Sequence, residues 1–148
     1  MHFRLAGTED IPMISAMRVA MLNEVAEGVP VDLAQKIEGY LSVHLRDGSC
    51  LCALLEQEDG IIATAMLCMA ESVPDEINTT GCFAMLANVY TRPAHRGKGY
   101  MEALLRWLLE KGHEAGVREV FAGAERKAIP LYRRIGFTLN ETGMFIQL

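Results

Sequence analysis

The feature that most constrains this chain is a strand, a glycine turn and a helix in immediate succession between residues 82 and 111. Cys82 to Thr91 is apolar nearly throughout, as a strand covered on both faces would be, and Pro93 stops it. From Gly99 to Lys111, Met101, Leu104, Leu105, Leu108 and Leu109 form one apolar stripe. Glu102, Arg106 and Glu110 stand on the polar side at i, i+4 spacing, and Gly112 and Gly116 read as the helix end. A strand buried on two faces and a helix with one buried face need each other, which points to helices layered on a sheet.

The rest of the chain supplies the remaining layers. His2 to Ala6 reads as a first strand, and Thr8 as the N-cap of a helix with Glu9 and Asp10 in its first turn. Ile11, Ile14, Met17, Met21, Leu22 and Val25 recur at helical spacing up to the break at Gly28 and Pro30. A second helix puts Leu33, Ile37, Leu41 and Leu45 on one face and ends at Asp47-Gly48. Two β-like runs, 50–56 and 61–69, flank the hairpin signal Asp59-Gly60. Residues 71–80 read as a loop, Val117 to Ala122 as a fifth strand, Ala128 to Ile135 as a short helix stopped by Gly136, and Phe137 to Leu148 as a final strand or hairpin. The predicted order is βααβββαβαβ. With 148 residues, 51% of them apolar, and no internal linker or repeat, one domain over residues 1–148 is expected.

Composition narrows the partners. The net charge of −5 argues against nucleic-acid binding through Arg92, His95, Arg96 and Lys98, which also lack interleaved aromatics. Cys50, Cys52, Cys68 and Cys82 form no Cys-x-x-Cys pair and lie in apolar runs, as reduced buried thiols do. His2, His44 and His113 show no metal-ligand spacing, so no metal is expected. The N-terminus lacks the apolar core of a signal peptide, and the longest apolar run, 61–70, is too short to span a membrane. A cytoplasmic location without membrane partners follows as the expectation.

The chemistry sits between Val89 and Met101. A helix start carries N–H groups without internal partners at the positive end of its dipole. Gly97 and Gly99 let that backbone approach a ligand, and Arg96 and Lys98 add positive charge, which suits a phosphate or pyrophosphate. Lys98 is followed by Gly99 where a Walker loop needs Ser or Thr, and position 102 is Glu where a dinucleotide fingerprint needs Gly.

Arg96-Gly97-Lys98-Gly99-Tyr100-Met101, preceded by Thr91-Arg92-Pro93, resembles the Q/R-x-x-G-x-G/A signature of the GNAT superfamily of acetyl-CoA-dependent N-acetyltransferases. Leu131-Tyr132-Arg133-Arg134-Ile135-Gly136-Phe137 is similar to that family's downstream L-Y-x-x-x-G-F signature. Met101 departs from the usual Gly or Ala. The resemblance implies an α/β fold with a mixed, mostly antiparallel central sheet flanked by helices. It implies acetyl-CoA held by the splayed strand at Val89, Tyr90 and Thr91 and by the turn at Arg96, Gly97, Lys98, Gly99, Tyr100 and Met101. It also implies Tyr132 as the acid that protonates the leaving thiolate, an amine acceptor of small-molecule or peptide type, and a homodimer as a compatible assembly. The general base stays open among Glu71, Asp75, Glu76, Glu24, Glu27 and a water relay at Asn88 or Tyr90. Asn88 is an amide in an otherwise apolar strand and needs partners. His95 is expected to face solvent. An acyl-CoA-binding sensor without turnover is the alternative reading.

Overall fold

The computed structural model describes residues 1–26, 28–141 and 143–148. Five strands form one sheet in the order β1-β2-β3-β4-β5: His2–Leu5, Cys50–Gln57, Gly60–Glu71, Cys82–Thr91 and Glu119–Ala122. The first four pair antiparallel, and β4 pairs with β5 in parallel. The mixed, mostly antiparallel sheet flanked by helices therefore stands as expected.

Side-chain alternation along the strands divides the core in two. Cys52 and Leu54 of β2 and Met66 of β3 point to one face, where α1 (Ile11–Val25) contributes Ile11, Ile14 and Met17 and α2 (Leu33–His44) contributes Ile37 and Leu41. Ala53, Leu55, Ala63, Ala65 and Leu67 point to the other face, against Leu104, Leu105 and Leu108 of α3 (Tyr100–Glu114). Those three leucines are fully buried, and each gains about 1.5–3 kcal/mol from removal from water. The alanines let α3 lie close to the sheet. Gly112, expected to end the helix, is instead an interior, buried residue of α3. A Cβ there would stand 2.5 Å from Leu67 Cδ1, so the glycine serves the helix–sheet contact. Gly116, with φ +95°, follows the helix end.

Two further expectations change, and the expected short helix stands within one residue at each end. Thr8 caps nothing: residues Thr8–Asp10 form a short 3-10 turn ahead of α1. Asp10 instead accepts from the Gly7 N–H at 2.9 Å and from both terminal nitrogens of Arg4 at 2.7 and 2.8 Å. The short helix is α4 (Ile129–Arg134), entered through a 3-10 turn. Among the described residues no strand follows α4, so the closing strand or hairpin expected over 137–148 is not formed. Met144, Phe145, Ile146 and Leu148 stand almost fully exposed. Without burial on one face, an apolar sequence has nothing to hold it extended.

Candidate active site

The sheet opens between β4 and β5. Their parallel pairing runs only from Phe83↔Glu119 to Leu86↔Ala122. Beyond Leu86, β4 continues to Thr91 on β3 alone, while the chain after Ala122 leaves toward α4. The backbone groups that β4 would offer to β5 therefore face a gap, and such groups require a partner.

A bulge bends β4 at this point. Thr64 pairs with Tyr90 and Met66 with Ala87, so three steps on β4 match two on β3. Asn88 takes up the extra residue with φ +51°, the one positive φ outside glycine among the described residues. Its side chain is 3% exposed, and neither its amide nitrogen nor its amide oxygen has a hydrogen-bond partner. A buried amide without partners costs about 1–3 kcal/mol, which a ligand in the gap would relieve.

The gap is a cleft of about 650 Å³. One wall is β4 from Leu86 to Thr91, and one end is the turn before α3. Gly97 and Gly99 hold φ +74° and +76° there, a conformation that favours glycine. A Cβ at either would meet nothing within 4 Å, so both face open space. The first helical N–H groups follow directly, with Ala103 the first to donate back, to the Gly99 carbonyl. The far wall is Leu131, Tyr132 and Arg134 of α4 with the approach segment at Gly123 and Glu125.

The structure gathers Val89, Tyr90, Thr91, Arg96, Gly97, Gly99, Tyr100, Met101 and Tyr132 around this one cleft. Lys98 lies on the same turn with an exposed side chain that does not border the cleft. Met101 does border it, and it also packs against the α3 core, so its bulk is turned partly inward. Tyr132 is buried, its ring 5.4 Å from that of Phe137. Burial first, and the Glu125 carboxylate second, hold its phenol above the ordinary tyrosine range.

Beside the glycine turn, a contact between distant parts of the chain borders the cleft. The Arg96 guanidinium donates to both oxygens of Glu24 on α1 at 2.8 Å, and the Tyr90 hydroxyl donates to Glu24 Oε1 at 3.2 Å. Arg96 also stacks over the Tyr90 ring at 5.4 Å and donates to the Thr91 carbonyl. The Arg96 partner, and then the Tyr90 hydroxyl, hold the Glu24 carboxyl below its ordinary range. These residues stand 66 and 72 positions apart in the chain, and only the fold brings them together. His95 does not face solvent as expected. Its side chain is 16% exposed and pairs with Asp59 of the β2–β3 turn at 3.0 Å.

The acids weighed as a general base separate clearly. Glu71, Asp75 and Glu76 sit at the Cys82 end of β4, opposite the cleft, and none borders it. Asp75 is occupied by the Ile77 and Asn78 N–H groups of its own loop. Glu27 lies outside the described residues. Of the acids that border the cleft, Glu24 is paired with Arg96, Glu102 with Arg106 and Arg134, and Glu125 with Lys127. None of the four cysteines borders the cleft.

Residues 18–137 match the acetyltransferase (GNAT) family. Among solved structures, a predicted acetyltransferase with acetyl-CoA from Clostridium acetobutylicum is similar at 23% identity and a TM-score of 0.91, covering 99% of this chain and 95% of the other. A GCN5-related N-acetyltransferase from Ralstonia eutropha JMP134 is 24% identical with a TM-score of 0.85, over 99% and 97%. Glucosamine-6-phosphate N-acetyltransferase from Arabidopsis thaliana is 14% identical with a TM-score of 0.73, over 99% and 97%. No curated protein matches the sequence. At these identities the structures speak for the fold, and the family match, over most of the chain, shows that this protein belongs to the GNAT acetyltransferase family.

Proposed function

We propose that the protein is an N-acetyltransferase that passes the acetyl group of acetyl-CoA directly to a primary amine of a small molecule or peptide. The observation that carries this reading is the bulged, unpaired edge of β4, with the glycine turn at one end and the Tyr132 phenol on the facing wall. The residues fit acetyl-CoA. The open backbone of Val89 to Thr91 suits a chain with amide groups, and the turn at Gly97 to Met101 suits a pyrophosphate. Arg96 and Lys98 bring positive charge to that end.

Bound there, acetyl-CoA supplies a thioester carbonyl open to attack by an amine. The cleft edge of β4 offers backbone N–H groups where negative charge would develop on the carbonyl oxygen, and preorganised donors of this kind lower such barriers. Tyr132 holds a proton for the departing sulfur. The leaving thiolate, whose thiol has a pKa of about 8.5, is a weaker base than phenolate at about 10, and burial keeps the phenol in its acid form, so it donates to the sulfur as charge develops there. Glu24, held in its charged form by Arg96, offsets that guanidinium's charge beside a cationic acceptor and is itself a weak base. With every acid at the cleft ion-paired, the acceptor proton is assigned to water held along Asn88 and Tyr90. The absence of a cysteine at the cleft favours direct attack over a covalent acetyl-enzyme.

Incubation with acetyl-CoA alone is expected to leave the protein mass unchanged, and two-substrate kinetics should give intersecting rather than parallel lines. A burst of thiol with an acetylated protein would overturn direct attack.

A further inference from the structure

Away from the cleft, Cys50 of β2 and Cys68 of β3 stand directly opposite one another. The Met69 N–H donates to the Ser49 carbonyl at 2.8 Å, which makes Ser49 and Met69 a hydrogen-bonded pair and Cys50 and Cys68 the adjoining non-hydrogen-bonded one. At such a pair the Cα atoms stand about 4.5 Å apart with the side chains at their closest. That separation lies inside the range of about 4.4–6.8 Å that a disulfide spans.

The two thiols differ in access. Cys50 is 2% exposed and belongs to the core beneath α1 and α2, whereas Cys68 is half-buried at its margin. Cys68 also has polar surroundings: the Tyr40 phenol and the Arg18 guanidinium lie near its sulfur. The neighbouring Cys50 thiol leads in holding the Cys68 thiol below its ordinary range, against the opposing effect of burial. Burial first holds the Tyr40 phenol above its ordinary range, and the neighbouring Cys68 sulfur leads in holding the Cys50 thiol above its own. Cys52, two residues along the same face, lacks this setting, and burial pushes it up to about 12. A partly exposed sulfur near an arginine, directly opposite a second, buried thiol, combines the attacking and resolving partners of a redox pair.

We propose that Cys68 and Cys50 form a reversible dithiol–disulfide pair oxidised by hydroperoxides, with Cys68 attacking and Cys50 resolving. The Cys68 thiolate attacks one peroxide oxygen and the O–O bond breaks. Cys68 becomes a sulfenic acid, oxidised by two electrons, and the second oxygen departs as hydroxide. The Cys50 sulfur then attacks the Cys68 sulfur. The S–S bond forms, the S–O bond breaks, and the Cys50 proton leaves with the oxygen as water. The bond joins strands already hydrogen-bonded to each other, across a pair whose Cα separation a disulfide spans. A dithiol reductant restores both thiols by exchange.

The test is to treat the purified protein with hydrogen peroxide, alkylate without reduction and map the peptides by mass. The expected result is loss of two of the four thiols, a protein two hydrogens lighter, a single Cys50–Cys68 cross-link, and full recovery with dithiothreitol. Cys50→Ser should leave a sulfenic acid at Cys68 that dimedone traps, and Cys68→Ser should give neither cross-link nor adduct. Four thiols surviving peroxide, or a cross-link to Cys52, to Cys82 or between chains, would overturn the pair. So would oxidation of Cys68→Ser at the wild-type rate. The wild-type map decides the matter alone if either variant fails to fold.

Discussion

Replacing Tyr132 by phenylalanine removes one hydroxyl from the cleft wall and keeps the ring. The ring makes the packing contact, at 5.4 Å to Phe137, and it is buried in the α3 core cluster. With the ring kept, stability should change by no more than about 1 kcal/mol, the scale of one hydroxyl. Affinity for acetyl-CoA should also hold within about threefold, because the pyrophosphate turn and the open β4 edge are untouched. The loss falls on turnover. A positioned general acid contributes about 10²–10⁴-fold, which is about 2.7–5.4 kcal/mol at about 1.36 kcal/mol per decade. Continuous detection of released thiol gives kcat, and calorimetric titration gives the affinity. Burial and then Glu125 raise the phenol above its ordinary value, so wild-type activity should keep its acid form past pH ~10. By linkage, the same raised pKa contributes stability that is fully present below pH ~10 and is lost as pH rises through the folded value. Turnover of the phenylalanine variant within about threefold of wild type would refute Tyr132 as the acid.

Gly99→Glu forces a non-glycine residue to φ +76° and sets a carboxylate at the anion end of the cleft. Acetyl-CoA affinity by calorimetry should fall at least tenfold, about 1.4 kcal/mol, and unchanged affinity would remove the turn from the site. Glu24→Gln releases Arg96 from its carboxylate partner. Acetyl-CoA should bind severalfold tighter while KM for a cationic acceptor rises; an unchanged acceptor KM would separate Glu24 from acceptor binding. Gly112→Ala places a Cβ 2.5 Å from Leu67 Cδ1. Overpacking of about 1–3 kcal/mol outweighs the roughly 1 kcal/mol gained in helix propensity, so thermal denaturation should show a Tm lower by a few degrees, and a higher Tm would contradict the close packing.

The strand, turn and helix at the centre of the fold were legible because each carries a local signal: a run of apolar residues, two glycines, and a stripe at helical spacing. The two-faced division of the core was equally local, since Cys52 and Leu54 alternate with Ala53 and Leu55. Local signals failed where the cause lay elsewhere in the chain. Gly112 resembles a helix stop, and only the position of Leu67 shows that it is a packing contact. The extra residue at Asn88 emerges from the register of β3 against β4; its one trace in sequence is a lone amide among apolar neighbours. The loop at 71–80 precedes β4 in sequence, which hid that it joins the strand at the end away from the cleft. Residues 137–148 have strand-like composition, yet a strand also needs a partner and a face to bury.

The most direct test of the central reading is release of thiol from acetyl-CoA by the purified protein, against a panel of amines, polyamines, amino acids and short peptides. Turnover with one class of amine, accompanied by an acetylated acceptor, is the expected result. Tight binding of CoA with no thiol released across the panel would contradict an N-acetyltransferase and favour a protein that holds acyl-CoA without consuming it.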